Sequence, residues 1–132
     1  MSDDGLGVLG SKVTEAIEHI EAVYIGDSAT PETLTEVVLK VSEFTAVCPI
    51  TGQPDYYDID IAYIPNKHIV ESKSLKLWLW KFRNEGVFCE HLSNWICEEI
   101  HAQVKPERVS VTVKQSPRGG IAIEARSVLD DE

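Results

Sequence analysis

Between residues 33 and 42 apolar and polar positions alternate, with Val37, Leu39 and Val41 on one side and Glu36, Lys40 and Ser42 on the other. A period of two suits a strand with one buried face, so a strand is expected there. The same period returns over 56–64, where Tyr57, Ile59, Ile61 and Tyr63 share a face, and this second strand is expected antiparallel to the first. The period then lengthens. Leu75, Trp78, Leu79 and Phe82 stand at i, i+3, i+4 and i+7, the apolar stripe of a helix. Ser72 is expected as its N-cap and Gly86 as its stop. Leu77 and Trp80 fall off the stripe, which suggests a second covered face against another subunit. Phe88, Leu92, Trp95, Ile96 and Ile100 mark another helix, ending before Pro106. Strands are expected over 108–114 and 120–125, joined by a turn at Ser116-Pro117-Arg118-Gly119. Residues 14–25 fit a short helix or a strand, 26–32 read as a loop, and so do 48–55, with two prolines and a glycine.

The order is strand, strand, helix, helix, strand, strand. It implies an α+β fold: an antiparallel four-stranded sheet with two helices between the strand pairs. Helices on one face leave the sheet's edges open, and ring assembly into a shared multimeric barrel would close them. The expected organisation is an N-terminal arm over 1–32, a folded domain over 33–125 and an acidic tail over 126–132. A length of 132 residues suits one domain.

Charge narrows the partners. Twenty-two acidic against 12 basic residues give a net charge of −10, which argues against nucleic acid, since phosphate binding needs a basic face. A small ligand in a locally basic pocket is still compatible with it. Three cysteines without framework spacing fit a reducing cytoplasm. No apolar run approaches the roughly 20 residues of a membrane span, and the acidic, glycine-rich start is unlike a signal peptide.

Three constellations bear on chemistry. Cys48-Pro49-Ile50-Thr51-Gly52-Gln53-Pro54-Asp55 holds a thiol and a carboxylate on one rigid loop. A thiolate attacks an electrophilic carbon and a nearby acid supplies a proton. A packing cysteine and a turn aspartate explain the same residues, and alone they favour that reading. Glu71-Ser72-Lys73-Ser74-Leu75-Lys76 opens a helix, where free N–H groups and lysines suit phosphates; a capped helix with solvated lysines is the plainer alternative. Pro117-Arg118-Gly119-Gly120 is either an arginine presented to a phosphate or a bare hairpin turn. Glu90 beside Phe88 suits the N–H edge and face of a purine-like ring, and is otherwise a surface residue. Cys89, His91 and His101 lack metal spacing with a fourth ligand, so no metal site is expected. No GxGxxG fingerprint is present.

In this order the motifs EFTAVCPITGQPD (43–55), VESKSLKLWLWKFRNEG (70–86), FCE (88–90) and SPRGG (116–120) resemble the QueF family, the NADPH-dependent 7-cyano-7-deazaguanine reductases, in its short single-module form. The resemblance covers about residues 33–125. It implies a tunnelling fold, assembled into pentameric rings that often stack in pairs as a decamer, with active sites between subunits. It implies reduction of a deazapurine nitrile to an aminomethyl group by NADPH, in queuosine biosynthesis. By position, Cys48 resembles the nucleophile that forms a thioimide and Asp55 the acid. Val70, Glu71, Ser72, Cys89 and Glu90 resemble substrate-binding positions; Ser72, Lys73, Arg118 and Gly119 resemble cofactor-binding ones. Many members carry His-Glu where this chain has Cys89-Glu90. The alternatives are an archaeosine-type amidinotransferase, which uses the same thioimide with ammonia, and a non-catalytic binding protein of the same fold.

Overall fold

The alternating run over 56–64 is the spine of the structure and begins two residues early. The computed structural model describes residues 16–26 and 33–130. Its elements are β1 (Ala22–Tyr24), β2 (Val37–Val47), β3 (Pro54–Ile64), β4 (His68–Val70), α1 (Ser72–Trp80), α2 (Cys89–Val104), β5 (Arg108–Arg118) and β6 (Ile121–Asp130). An antiparallel sheet runs β2-β3-β5-β6, and β1 pairs with β4. Tyr57, Ile59, Ile61 and Tyr63 of β3 and Val109, Val111 and Val113 of β5 are at most 1% exposed. They pack in one core with Leu92, Ile96, Ile100 and Val104 of α2. Each such side chain stabilises by roughly 1.5–3 kcal/mol. The other face is charged: Lys40 stands opposite Asp60, and Lys114 Nζ is 3.1 Å from Asp60 Oδ2. The outer edges of β2 and β6 have no strand partner among the described residues.

Several elements differ from the sequence expectation. β2 runs on to Val47 because its alternation changes phase instead of ending. The register slips between Val41 and Phe44, and Glu43 takes a left-handed φ of 59°. The extra residue is a β-bulge. Leu39 and Val41 face inward before it, Phe44 and Ala46 after it. A strand that shifts by one residue exchanges its faces, so the bulge brings position 48 into phase with Asp55 and Tyr57.

The second hairpin also shifts. Its tip is Gly119-Gly120, with φ of 60° and 82°, rather than Ser116–Gly119. Two successive positive φ values are what a type I′ turn demands and glycine supplies. β5 therefore extends to Arg118, and Pro117 sits in a stretch of irregular register, where its missing N–H breaks no ladder bond. β6 continues to Asp130, paired with Arg108. Residues 126–130 are thus strand where the sequence suggests a tail, because Ile123, Ala125 and Leu129 keep the inward alternation.

Residues 16–26, assigned to the arm, lie against the core: Ile20 is 3% exposed and Glu71 N–H donates to Glu21 O at 2.9 Å. The rest of the arm (1–15 and 27–32), with most of the expected 26–32 loop, and residues 131–132 of the expected tail lie outside the described residues. Glu71, not Ser72, caps α1, accepting from Ser74 N at 2.8 Å and Lys73 N at 3.0 Å. Leu77 is buried and Trp80 is 38% exposed. No helix among the described residues is long and apolar enough to cross a membrane.

Candidate active site

Where β2 gives way to β3 the ladder continues one step: Cys48 N–H donates to Gln53 O, and Gly52 N–H to Cys48 O, both at 2.8 Å. Gly52 at φ 71° lets the loop close this tightly. Gly86 seals the other side, since a Cβ there would lie 3.0 Å from Pro49 Cα. Val47 bonds Glu85 and Val87 through its N–H and C=O. The thiol is therefore held between two backbone segments.

Its surroundings favour the thiolate. The Thr51 hydroxyl, first, and the Arg118 guanidinium, second, hold the half-buried Cys48 thiol down to about 6 from an ordinary 9.0, with help from backbone N–H groups of Thr51 and Ile50. The other two thiols are buried and go the opposite way. Burial raises Cys97 to about 11 and pushes Cys89 upward, with the Glu90 charge as a second cause. Cys89 Sγ lies 3.4 Å from Val113 O. Reactivity follows thiolate character and access, and of the three thiols Cys48 has the most of both.

Asp55 points inward from β3 and is 3% exposed. Arg118 Nη1 stands 2.8 Å from its Oδ1, in an ion-pair contact not aligned as a hydrogen bond. Arg118 Nη2 also donates to Gln53 Oε1 at 3.4 Å. A hydrogen bond to the Cys48 sulfur, first, and then the Asp55 and Cys48 charges raise the Arg118 pKa further, against some desolvation. One guanidinium thus spans the Cys48 thiol and the Asp55 side chain. The Gly119-Gly120 turn, which ends β5 at Arg118, delivers it there.

The other expected residues divide into two groups. Cys89 and Glu90 begin α2 at the Cys48 end; Cys89 is buried and Glu90 exposed. Val70, Glu71, Ser72 and Lys73 sit at the opposite end of β3, where Val70 N–H donates to Tyr63 Oη at 3.0 Å. Eight residues of β3 separate Asp55 from Tyr63, about 26 Å at strand rise. One chain therefore does not bring 70–73 to Cys48.

The Glu71 carboxylate occupies the N–H groups of Lys73 and Ser74, so those amides are not open to a phosphate as the sequence suggests. Lysine side chains still are suitable. Ser72, Lys73, Lys76, Lys40 and Arg83 edge a groove of about 810 Å³ between β2 and α1. Its many cations and apolar walls fit a ligand carrying phosphates and a flat ring.

Sequence reasoning missed Thr51, Gln53 and Tyr57. Thr51 and Gln53 lie inside the 48–55 motif and read there only as turn residues. Tyr57 falls on the inward face of an alternating run and reads as core.

Residues 54–131 match the family model described as QueF-like protein. An NADPH-dependent 7-cyano-7-deazaguanine reductase of Syntrophus aciditrophicus is 53% identical over 87 residues, 66% of this chain and 62% of that one. This chain thus spans under two thirds of that relative's length. One of Bacteroides thetaiotaomicron is 43% identical over 121 residues, 91% of this chain and 80% of that one. Among solved structures, an archaeosine synthase QueF-Like in the apo form is similar with a TM-score of 0.68 at 28% identity, covering 74% of this chain and 95% of that one. With more than half its length matched to the family model and a relative alignable over nearly all of it, this chain belongs to the QueF family.

Proposed function

We propose that this protein reduces the nitrile of 7-cyano-7-deazaguanine to an aminomethyl group at the expense of NADPH, through a thioimide on Cys48. The observation that carries the reading is the depressed Cys48 thiol beside buried Asp55. Cys48 Sγ adds to the nitrile carbon, and the nitrile nitrogen takes its proton from the Asp55 carboxyl, leaving a carboxylate. Arg118 supports the thiolate before the addition and the Asp55 carboxylate after it. Glu90, exposed at the start of α2, is offered to the N–H edge of the base. Bound NADPH supplies the hydride for each two-electron reduction, held by Ser72 and Lys73 with Arg118 and Gly119. Water must be kept out while the thioimide lasts, or it would hydrolyse.

The separation of Val70–Lys73 from Cys48 supports a site completed between subunits. The open edges of β2 and β6 suit sheet-to-sheet joining into the tunnelling-fold barrel, as pentameric rings or a decamer. The chemistry and the free thiols suit the cytoplasm.

The similarity to an archaeosine synthase favours one competing reading, addition of ammonia to the same thioimide. The cation-edged groove weighs against it, since an amidinotransferase has no need of a dinucleotide. Incubation with the nitrile base followed by intact mass should show one base added to the wild type and none to Cys48→Ala. An adduct that survives in Cys48→Ala would remove Cys48 from the role.

A further inference from the structure

Three buried side-chain polar atoms among the described residues have no hydrogen-bond partner: Asp55 Oδ1, Tyr57 Oη and Trp78 Nε1. The third belongs to α1. The first two belong together, because Asp55 and Tyr57 are two apart on the inward face of β3. Tyr57 is 1% exposed and its ring packs against Phe44 at 5.9 Å between centroids. The phenol is therefore fixed in place while its hydroxyl is left unsatisfied.

Such a hydroxyl costs free energy unless something meets it, and native proteins rarely leave one without a reason. The surroundings indicate the reason. Asp55, Cys89 and Cys48 all act electrostatically on the Tyr57 hydroxyl, and Arg118 stands 2.8 Å from Asp55. Burial first, and the neighbouring Asp55 next, push the Tyr57 pKa up, so the phenol stays protonated and keeps a proton to donate. Asp55 also acts on it through a hydrogen bond, one too poorly aligned to satisfy the hydroxyl.

We propose that Tyr57 is a further catalytic residue, its hydroxyl donating a hydrogen bond to the nitrogen of the reacting nitrile as Cys48 adds to the carbon. This rests on the thioimide reading. The nitrogen gains negative charge as the carbon–sulfur bond forms, before the Asp55 proton has fully arrived. A fixed, dry donor aimed at that nitrogen stabilises the transition state more than the neutral nitrile. Tyr57 transfers no proton and Asp55 remains the acid. The donor comes from β3 and does not depend on a histidine at position 89, where this chain has cysteine.

Tyr57→Phe removes one oxygen and nothing else. Adduct formation with the nitrile base, followed by intact mass under stopped conditions, should slow about 100-fold at saturating base. The half-saturating base concentration should move less than about three-fold. The melting temperature should hardly change, because the lost hydroxyl had no well-aligned partner in the free protein. An unchanged maximal rate, or a lower melting temperature with a proportionate loss of rate, overturns the assignment. Should the phenylalanine variant fold poorly, trifluorotyrosine at position 57 keeps the shape and acidifies the phenol. Its adduct rate should fall at alkaline pH where the wild type stays level, and coincident profiles overturn the inference. No adduct on the wild type in the same experiment defeats the thioimide reading itself, and this inference with it.

Discussion

Thr51→Val removes the largest cause of the depressed Cys48 thiol while keeping the side chain's shape. With a midpoint of about 6, Cys48 is about nine-tenths thiolate at pH 7, against a few per cent for an ordinary cysteine. Losing the hydroxyl should raise the midpoint by about one to two units. A more basic thiolate is also more nucleophilic, by about three-fold per unit. The two effects oppose each other, and their balance depends on pH. At pH 6 the variant should react with iodoacetamide about two- to six-fold more slowly than wild type; at pH 9, where both are ionised, about three- to eight-fold faster. The curves should cross near neutrality. Peptide mapping after alkylation assigns the signal to Cys48, since burial holds Cys89 and Cys97 in the thiol form. Overlapping profiles would refute the role given to Thr51. A wild-type midpoint at or above that of an ordinary cysteine would refute the preorganised nucleophile altogether.

Glu71→Ala removes a cap that satisfies two helix N–H groups, and urea unfolding should show a loss of about 0.5–2 kcal/mol; an unchanged midpoint would deny the cap. If Cys48 and Val70–Lys73 serve one site from different subunits, Cys48→Ala and Lys73→Ala should each be inactive alone. Co-refolded in equal amounts, they should recover about a quarter of the wild-type activity. No recovery on mixing would place the site within one chain.

Much of the fold is legible in the sequence wherever a period persists. The inward alternation of Tyr57, Ile59, Ile61 and Tyr63 produces the expected strand, and the Leu75–Phe82 stripe the expected helix, which ends at Trp80, short of Phe82 and the expected stop at Gly86. What escapes is where a period changes phase. The bulge at Ser42–Glu43 makes the strand seem to end five residues early, and its left-handed glutamate carries no glycine-like signal. The turn at Gly119-Gly120 is displaced from the Pro117 signal because positive φ, not proline, decides a two-residue hairpin. β1 resolves the 14–25 run, left open between helix and strand, and its partner β4 escapes because its three residues pair only with β1, so nothing local specifies them.

The candidate site is legible in part. Cys48, Asp55 and Arg118 meet in the structure although 63 residues separate Asp55 from Arg118; sequence order alone offers no reason to expect the pairing. Thr51 and Tyr57 were hidden by their ordinariness, as a turn threonine and a core tyrosine. Burial without a hydrogen-bond partner, which sequence does not show, is what distinguishes Tyr57.

The most direct test of the central claim follows nicotinamide absorbance after a known amount of nitrile base is added to the protein with excess NADPH. Reduction of a nitrile to an amine takes two hydrides, so two NADPH should disappear per base, and none with Cys48→Ala. Formation of the Cys48 adduct without any NADPH consumed would contradict the reductase and leave the amidinotransferase in its place.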